Sequence, residues 1–334
     1  MKRISLDCMG GDYAPKAIVQ GAVLAAAEFG LDLLLVGEEH AIGKELSVLH
    51  TKGLNIEIVP TTQVIGFDDA PALAVRRMKD SSMVVAHRLV KEGKAEAVFS
   101  AGNTGAIMAC GLFILGRMEG VQRPALAPIL PTVDNKAVLL LDSGANAEAK
   151  AEHLLQFGLM GSKYMQFARK VVNPRVGLIN IGTEEEKGSP LYQEAYQLLK
   201  KAKINFVGNL EARELFSGAV DVAVCDGFTG NVILKLTEGL AQTFSEMIKQ
   251  DLYADLRSKM GGLLIKPAMH RFKNRLDYSE YGAAPLLGVN GICLKGHGSS
   301  EARAIYSALR AANEFIESNI IEEFRQVMIQ NESK

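Results

Sequence analysis

The sequence predicts an α/β protein, a three-layer α/β/α arrangement built around a largely parallel sheet. Short apolar runs alternate with segments of helix length along the whole chain. Most of the apolar runs are continuous, as strands covered on both faces should be, and do not alternate as a half-exposed sheet would. Loops combining glycine with Asp, Asn, Ser or Thr follow several of them, which is where such folds collect ligands.

In order, the strand candidates are residues 3–7 (RISLD), 31–37 (LDLLLVG), 54–60 (LNIEIVP), 95–102 (AEAVFSAG), 126–131 (LAPILP), 136–144 (KAVLLLDSG), 176–182 (VGLINIG), 204–209 (INFVGN) and 220–228 (VDVAVCDGF). Segments of helix length lie between many of them: Pro15 to Gly30, Ala149 to Lys170, Ser189 to Lys201 and Gly230 to Gln250. Residues 301–330 form another at the end. No repeat, low-complexity tract or Gly/Ser-rich linker divides the 334 residues, so the expectation is one catalytic domain over 1–334.

A hydrophobic content of 48% supports a large core and excludes a disordered chain. With 37 basic against 38 acidic residues there is no global attraction to nucleic acid, and none is expected as a partner. Cys8, Cys110, Cys225 and Cys293 are far apart, without a C-x-x-C pair or histidine companions. Neither a disulfide framework nor a zinc site is indicated, and reduced thiols in a cytoplasm are expected. Asp7 and Gly10-Gly11 interrupt the only apolar run near the start, so no secretory signal is read there. Residues 97–116 carry no charge, but Ser100, Gly102, Asn103, Thr104 and Gly105 confine any helix to 105–116, which suits a buried helix better than a membrane span.

The loops that follow the strand candidates read DCMGGDYAP (7–15), SAGNTGA (100–106), DSGAN (142–146), GTEEEKGS (182–189) and DGFTGN (226–231). Each could be a tight turn and helix cap, or part of an anion site made from backbone N–H groups. Five on one edge favour the second reading. Named nucleotide motifs fail: GEEHAIGKE (37–45) has one residue too many between its glycines for a Walker A loop, and Glu45 stands where Ser or Thr should hold magnesium. There is no dinucleotide fingerprint, nucleophile elbow or zinc-protease motif, so no cofactor and no metal are expected. Lys187, between a strand and a helix starting near Gly188-Ser189, either meets an anion or neutralises an acidic turn. Glu184, Glu185 and Glu186 either bond that cation or shape its loop.

Taken together and in this order, DCMGGDYAP, SAGNTGA, DSGAN, NIGTEEEKGS, CDGFTGN, GAAPLLGVNG (282–291) and KGHGSS (295–300) resemble the bacterial acyl-acyl-carrier-protein:phosphate acyltransferases of phospholipid synthesis, from residue 1 to about residue 325. The resemblance implies a fold similar to phosphotransacetylases and isocitrate/isopropylmalate dehydrogenases. It implies conversion of long-chain acyl-ACP and inorganic phosphate into acyl phosphate and free carrier protein, for phosphatidic acid synthesis. It also implies a homodimer in the cytoplasm, peripherally associated with an anionic membrane surface on the inner face of the cell membrane. Its product would pass to an acyl-phosphate-using glycerol-3-phosphate acyltransferase. Two other readings stay open: a short-chain enzyme acting on acyl-CoA, and a non-enzymatic membrane scaffold for lipid-synthesis enzymes.

That chemistry suits glycine loops and a cation. Phosphate is largely dianionic near neutrality and a thiol leaves without a strong acid, so the task is to hold an anion against a thioester and stabilise an oxyanion. Phosphate binding is therefore expected at the turns Asn103-Thr104-Gly105 and Thr229-Gly230-Asn231 and at Lys187, with Asn290 and His297 as further contributors. Asp226 could orient the pantetheine end or accept a proton; alternatively it simply caps the next helix. His297 could protonate the leaving thiolate. Cys225, at the end of a buried run, reads as a small hydrophobe before it reads as a nucleophile.

Residues 256–276 (LRSKMGGLLIKPAMHRFKNRL) carry six basic residues, among them Lys266, Arg271 and Lys273, and no acidic one. With Leu264, Ile265, Met269 and Phe272 this predicts a basic amphipathic helical arm at about 250–280, broken by Gly261-Gly262 and Pro267 into two short helices. It could lie on anionic lipid, receive the acidic carrier protein, or pack at a dimer interface.

Overall fold

The computed structural model describes residues 2–276 and 283–332, apart from the side chains at 270, 273–276 and 330–332. The first half runs β1 (Arg3–Asp7), α1 (Lys16–Phe29), β2 (Asp32–Gly37), α2 (Glu39–Leu46), β3 (Ile56–Pro60), α3 (Pro71–Arg77), α4 (Ser82–Lys91), β4 (Ala97–Ser100), α5 (Thr104–Cys110), β5 (Ala125–Leu126), β6 (Ile129–Pro131) and β7 (Ala137–Leu141). The second runs α6 (Ala151–Phe167), β8 (Arg175–Asn180), α7 (Pro190–Lys201), β9 (Asn205–Glu211), β10 (Val222–Val224), α8 (Gly227–Tyr253), α9 (Leu256–Leu276), β11 (Ala284–Leu287), β12 (Ile292–Lys295), α10 (Ala302–Ser318) and α11 (Ile320–Glu332).

The strands form two sheets instead of one. One has the order β3-β2-β1-β4-β12-β11-β5, the other β6-β7-β10-β8-β9. Antiparallel pairing is confined to β11 with β12, β11 with β5 and β6 with β7; the other pairs are parallel. The central strands are apolar throughout because helices cover both faces. All five residues of β7 are buried, as are Ile4, Leu6, Leu33, Leu35, Phe99 and Val222. Each fully buried Leu, Ile or Phe contributes about 1.5 to 3 kcal/mol relative to exposure, which makes these strands the thermodynamic centre of the fold.

Three expectations change. The candidate at 126–131 divides between the two sheets, with β5 in one and β6 in the other. β11 and β12, only four residues each and set among glycines, look like loop in the sequence but complete the larger sheet. In the arm, the break falls at Ala254-Asp255, and α9 continues through Gly261-Gly262 and Pro267. Asp255 decides this position, because its carboxylate accepts from the Ser258 N–H at 2.9 Å and from the Ser258 hydroxyl at 3.0 Å, starting a new helix. Among the described residues no helix is long and apolar enough to cross a membrane.

Candidate active site

Parallel pairing brings the carboxyl ends of β1, β4 and β12 together in one sheet and those of β7, β10 and β8 together in the other. In the first, Asp7 ends β1 fully buried and accepts from the Ser100 hydroxyl at 2.6 Å. Burial pushes its carboxyl pKa up against the pull of these hydrogen bonds. The loop after β12 is tied on by Gly296 N–H donating to the Ser100 carbonyl at 2.8 Å and Asp12 N–H donating to the Gly298 carbonyl at 2.8 Å.

In the second sheet, Asp142 follows β7 and organises the turn after it. Its carboxylate accepts from the backbone N–H groups of Leu126 (2.9 Å), Ala145 (3.1 Å) and Asn146 (2.7 Å). The Leu126 bond joins the two sheets, since Leu126 belongs to β5. The start of α8 packs onto this turn so closely that a Cβ on Gly230 would lie 1.9 Å from the Asp142 carbonyl oxygen. Glycine is required there for space.

Asp226 is the N-cap of α8. Its Oδ1 accepts from Thr229 N–H at 2.8 Å, and its Oδ2 accepts from the Tyr192 phenol at 2.6 Å and the Thr229 hydroxyl at 3.1 Å. Oδ1 thus caps α8, while Oδ2 ties α7 to it. Burial, then the Asp226 contact, raise the Tyr192 pKa well above the ordinary phenol value, so the phenol stays a donor.

The expected site residues separate into two groups. Asn103 is buried and structural: its Oδ1 caps α5 through Ala106 N–H at 3.1 Å, and its Nδ2 donates to the Gly66 and Phe67 carbonyls. Gly105 faces Pro71 of α3, and a Cβ would meet that ring at 2.6 Å. Thr104, partly buried, opens α5 beside them. Asn290 is not at this edge. It precedes β12, at the amino end of that strand, where its Nδ2 donates to the Arg117 carbonyl at 2.8 Å.

Lys187, Asn231 and His297 belong to the other group. Lys187 is exposed, and its ammonium has no ion-pair partner among the described residues. The three glutamates do not hold it: Glu185 pairs with Lys200 at 2.8 Å and with Gln197 at 2.6 Å, while the backbone carbonyls of Glu184 and Glu186 accept from Asn209 and Gln193. They shape the loop, and α7 begins after it at Pro190. Asn231 is exposed on α8 beside Gly144. His297 accepts at Nδ1 from Ser299 N–H (3.2 Å) and lies 2.8 Å from the Ser299 hydroxyl, which places its ring proton on Nε2. Burial, and after it Lys295, lower its pKa.

Sequence reasoning missed Tyr192 and Asp142. It also passed over Lys295, which ends the apolar run of β12, because that strand went unrecognised. Cys225 is fully buried and burial raises its thiol pKa well above the ordinary value, which removes it as a nucleophile. Among the described residues no group of three His, Cys, Asp or Glu side chains could hold a metal ion.

On α9, Leu264 is 83% and Ile265 43% exposed, and Lys266 and Arg271 are exposed beside them. Leu256, Met260, Leu263 and Leu264 form the exposed apolar stripe of this helix, and the Lys273 side chain is outside the described part.

A family model described as "Fatty acid synthesis protein" matches residues 2–323. A protein named phosphate acyltransferase from Desulforamulus reducens is 52% identical over 321 residues, covering 96% of each chain. One of the same name from Alkaliphilus oremlandii is 49% identical over 320 residues, covering 96% of this chain and 95% of that one. Among solved structures, a phosphotransacetylase from Streptococcus pyogenes superposes with a TM-score of 0.66 at 16% identity, covering 95% of this chain and 94% of its own. A branched-chain phosphotransacylase from Enterococcus faecalis gives 0.55 at 13% identity, with 94% and 98% covered. These two likenesses establish a shared fold.

Proposed function

The chain belongs to the phosphate acyltransferase family, and from that premise we propose that it transfers a long-chain acyl group from acyl carrier protein to inorganic phosphate, releasing acyl phosphate. The observation that carries this reading is a carboxyl-end edge that brings cations and close-packed glycine turns together. A phosphate oxygen attacks the thioester carbonyl, the C–O bond forms, the C–S bond breaks, and the thiolate leaves to take a proton. Lys187 holds the incoming dianion. His297, whose pKa burial lowers, donates a hydrogen bond from Nε2–H to the carbonyl oxyanion, and the departing thiolate takes its proton from water. Thr229, Gly230 and Asn231 form the first turn of α8 beside the anion. Asp226 fixes that turn and does not act as a base, since both its oxygens are engaged. Asn103 and Gly105 act as framework, leaving Thr104 as the polar group of its turn.

One domain over 1–334 with a protruding α8–α9 arm fits this activity. Phe228, Val232, Leu236, Leu240, Phe244 and Met247 form an exposed apolar face along α8, which a second copy of the chain would cover as a homodimer. The basic arm on α9, with Leu264, Ile265, Lys266, Arg271 and Lys273, rests on an anionic membrane surface from the cytoplasmic side, where a glycerol-3-phosphate acyltransferase consumes the product.

The test is incubation of the purified protein with long-chain acyl-ACP, acyl-CoA and phosphate, following acyl phosphate by mass spectrometry. Acyl phosphate from acyl-ACP alone supports the reading. Product from acyl-CoA alone makes it a short-chain type of enzyme, and no phosphate-dependent loss of either thioester leaves a scaffold.

A further inference from the structure

Lys295 is the last residue of β12, paired in register with Ser100 of β4 at the carboxyl edge of the larger sheet. It is partly buried, and its ammonium makes no hydrogen bond or ion pair among the described residues. The charged groups acting on it come from α8, which starts in the other sheet: Lys235 and Glu238. These two pair with each other at 2.8 Å, the Glu238 side chain only 14% exposed, so the one acid nearby is already engaged. Burial, followed by Lys235, pushes the Lys295 pKa below its ordinary value. Folding thus holds a cation where it is poorly solvated and repelled by a second cation, an arrangement found where a ligand supplies the missing charge.

The position fits an anion. Lys295 and His297 leave the same strand end, and Lys235 and Asn231 occupy successive turns of one face of α8. Asn231 in turn adjoins Gly144 of the Asp142 turn. The carboxyl end of β12 and the start of α8 thus carry cationic or hydrogen-bonding groups on both sides of the candidate site.

We propose that Lys295, a half-buried cation at the carboxyl edge of the larger sheet, is a phosphate-oxyanion ligand of this protein. The inference rests on the function proposed above and deepens it by adding a ligand on the sheet opposite Lys187. Two sources carry that chemistry: the inorganic phosphate co-substrate and the phosphodiester of the carrier's phosphopantetheine arm.

The first measurement needs no variant. Reductive methylation of the intact protein, with and without inorganic phosphate at matched ionic strength, is read at Lys295 by peptide mass spectrometry, and phosphate should slow labelling there. The second uses Lys295→Met and Lys295→Arg in turnover assays over phosphate and over acyl-phosphopantetheine against acyl-pantetheine. Lys295→Met should raise the KM of the bound species at least tenfold, with Lys295→Arg recovering part of it. A purely structural lysine would instead lower the thermal midpoint of Lys295→Met, which should stay level or rise here. An effect confined to the phosphate titration assigns the co-substrate, and one confined to acyl-phosphopantetheine assigns the prosthetic phosphodiester. Unchanged labelling together with both KM values within twofold of the parent overturns the inference. If the parent protein forms no acyl phosphate, the proposed function fails by itself, and the labelling experiment still decides whether Lys295 binds phosphate.

Discussion

The phenolic oxygen of Tyr192 lies 2.6 Å from Asp226 Oδ2 and donates its proton there, and it accepts from the Asp226 N–H at 3.3 Å, so α7 and the cap of α8 are joined across 34 residues of sequence. A bond to a charged acceptor contributes about 1.5 to 3 kcal/mol. Tyr192→Phe should lower unfolding stability by that order, measured as a shift of the urea midpoint. Asp226→Asn preserves a good N-cap and should keep most turnover, whereas Asp226→Ala should cost about 0.5 to 2 kcal/mol. A hundredfold loss of turnover in a stable Asp226→Asn protein would show that the carboxylate has a chemical duty as well.

Gly230→Ala should be far more damaging than its size suggests. The added carbon would meet the Asp142 carbonyl, which is backbone and cannot rotate away. The start of α8 must shift, and a loss of about 3 kcal/mol or more is expected from equilibrium unfolding. A stable variant of normal activity would mean that α8 moves freely against β7.

Lys187→Ala should reduce turnover about tenfold or more at limiting phosphate while leaving the unfolding midpoint unchanged, since the ammonium is exposed and touches no described acid. Equal rates at limiting and saturating phosphate would remove Lys187 from the site.

His87 is fully buried, with Nδ1 donating to the Met83 carbonyl at 2.8 Å and Nε2 3.5 Å from Cys293 Sγ. Burial lowers its pKa from 6.5 to about 4. The folded state therefore resists a proton that the unfolded chain accepts. Stability is unaffected above pH 6.5 and falls as pH drops from there towards 4, by about 1.4 kcal/mol for each pH unit crossed between the two values. Urea midpoints between pH 7 and pH 4 should decline less steeply in His87→Gln than in the parent, and parallel slopes would exclude the imidazole as the source.

Leu264→Glu with Lys266→Glu should abolish sedimentation with anionic vesicles while turnover of acyl-ACP in solution largely survives. Each basic residue near an anionic surface contributes about 1 kcal/mol, and the leucine adds burial of apolar area. Retained vesicle binding with a much higher KM for acyl-ACP would transfer the arm from membrane to carrier protein.

What could be read in advance depended on how strongly each feature stands out in the chain. β7 is AVLLL flanked by polar residues, and nothing but a buried strand suits it. β12, ICLK, is too short between glycines to separate from a loop, and this one omission hid Lys295. Lys187 was visible because charge is conspicuous after an apolar run. Tyr192 was not, because a tyrosine on an amphipathic helix gives no sign that its hydroxyl reaches a cap in another loop. The division of 126–131 was equally hidden: β5 and β6 differ in partner, not in composition, and the partner of β5 lies at Leu286 and Leu287.

α8 has 27 residues, and at 1.5 Å of rise each it is about 40 Å long. Its first turn lies at the carboxyl-end edge of the smaller sheet, and its far end carries α9, packed there through Gly262 against Leu252. The helix is therefore a spacer of set length: any surface touched by the tip is kept roughly 40 Å from the first turn of α8.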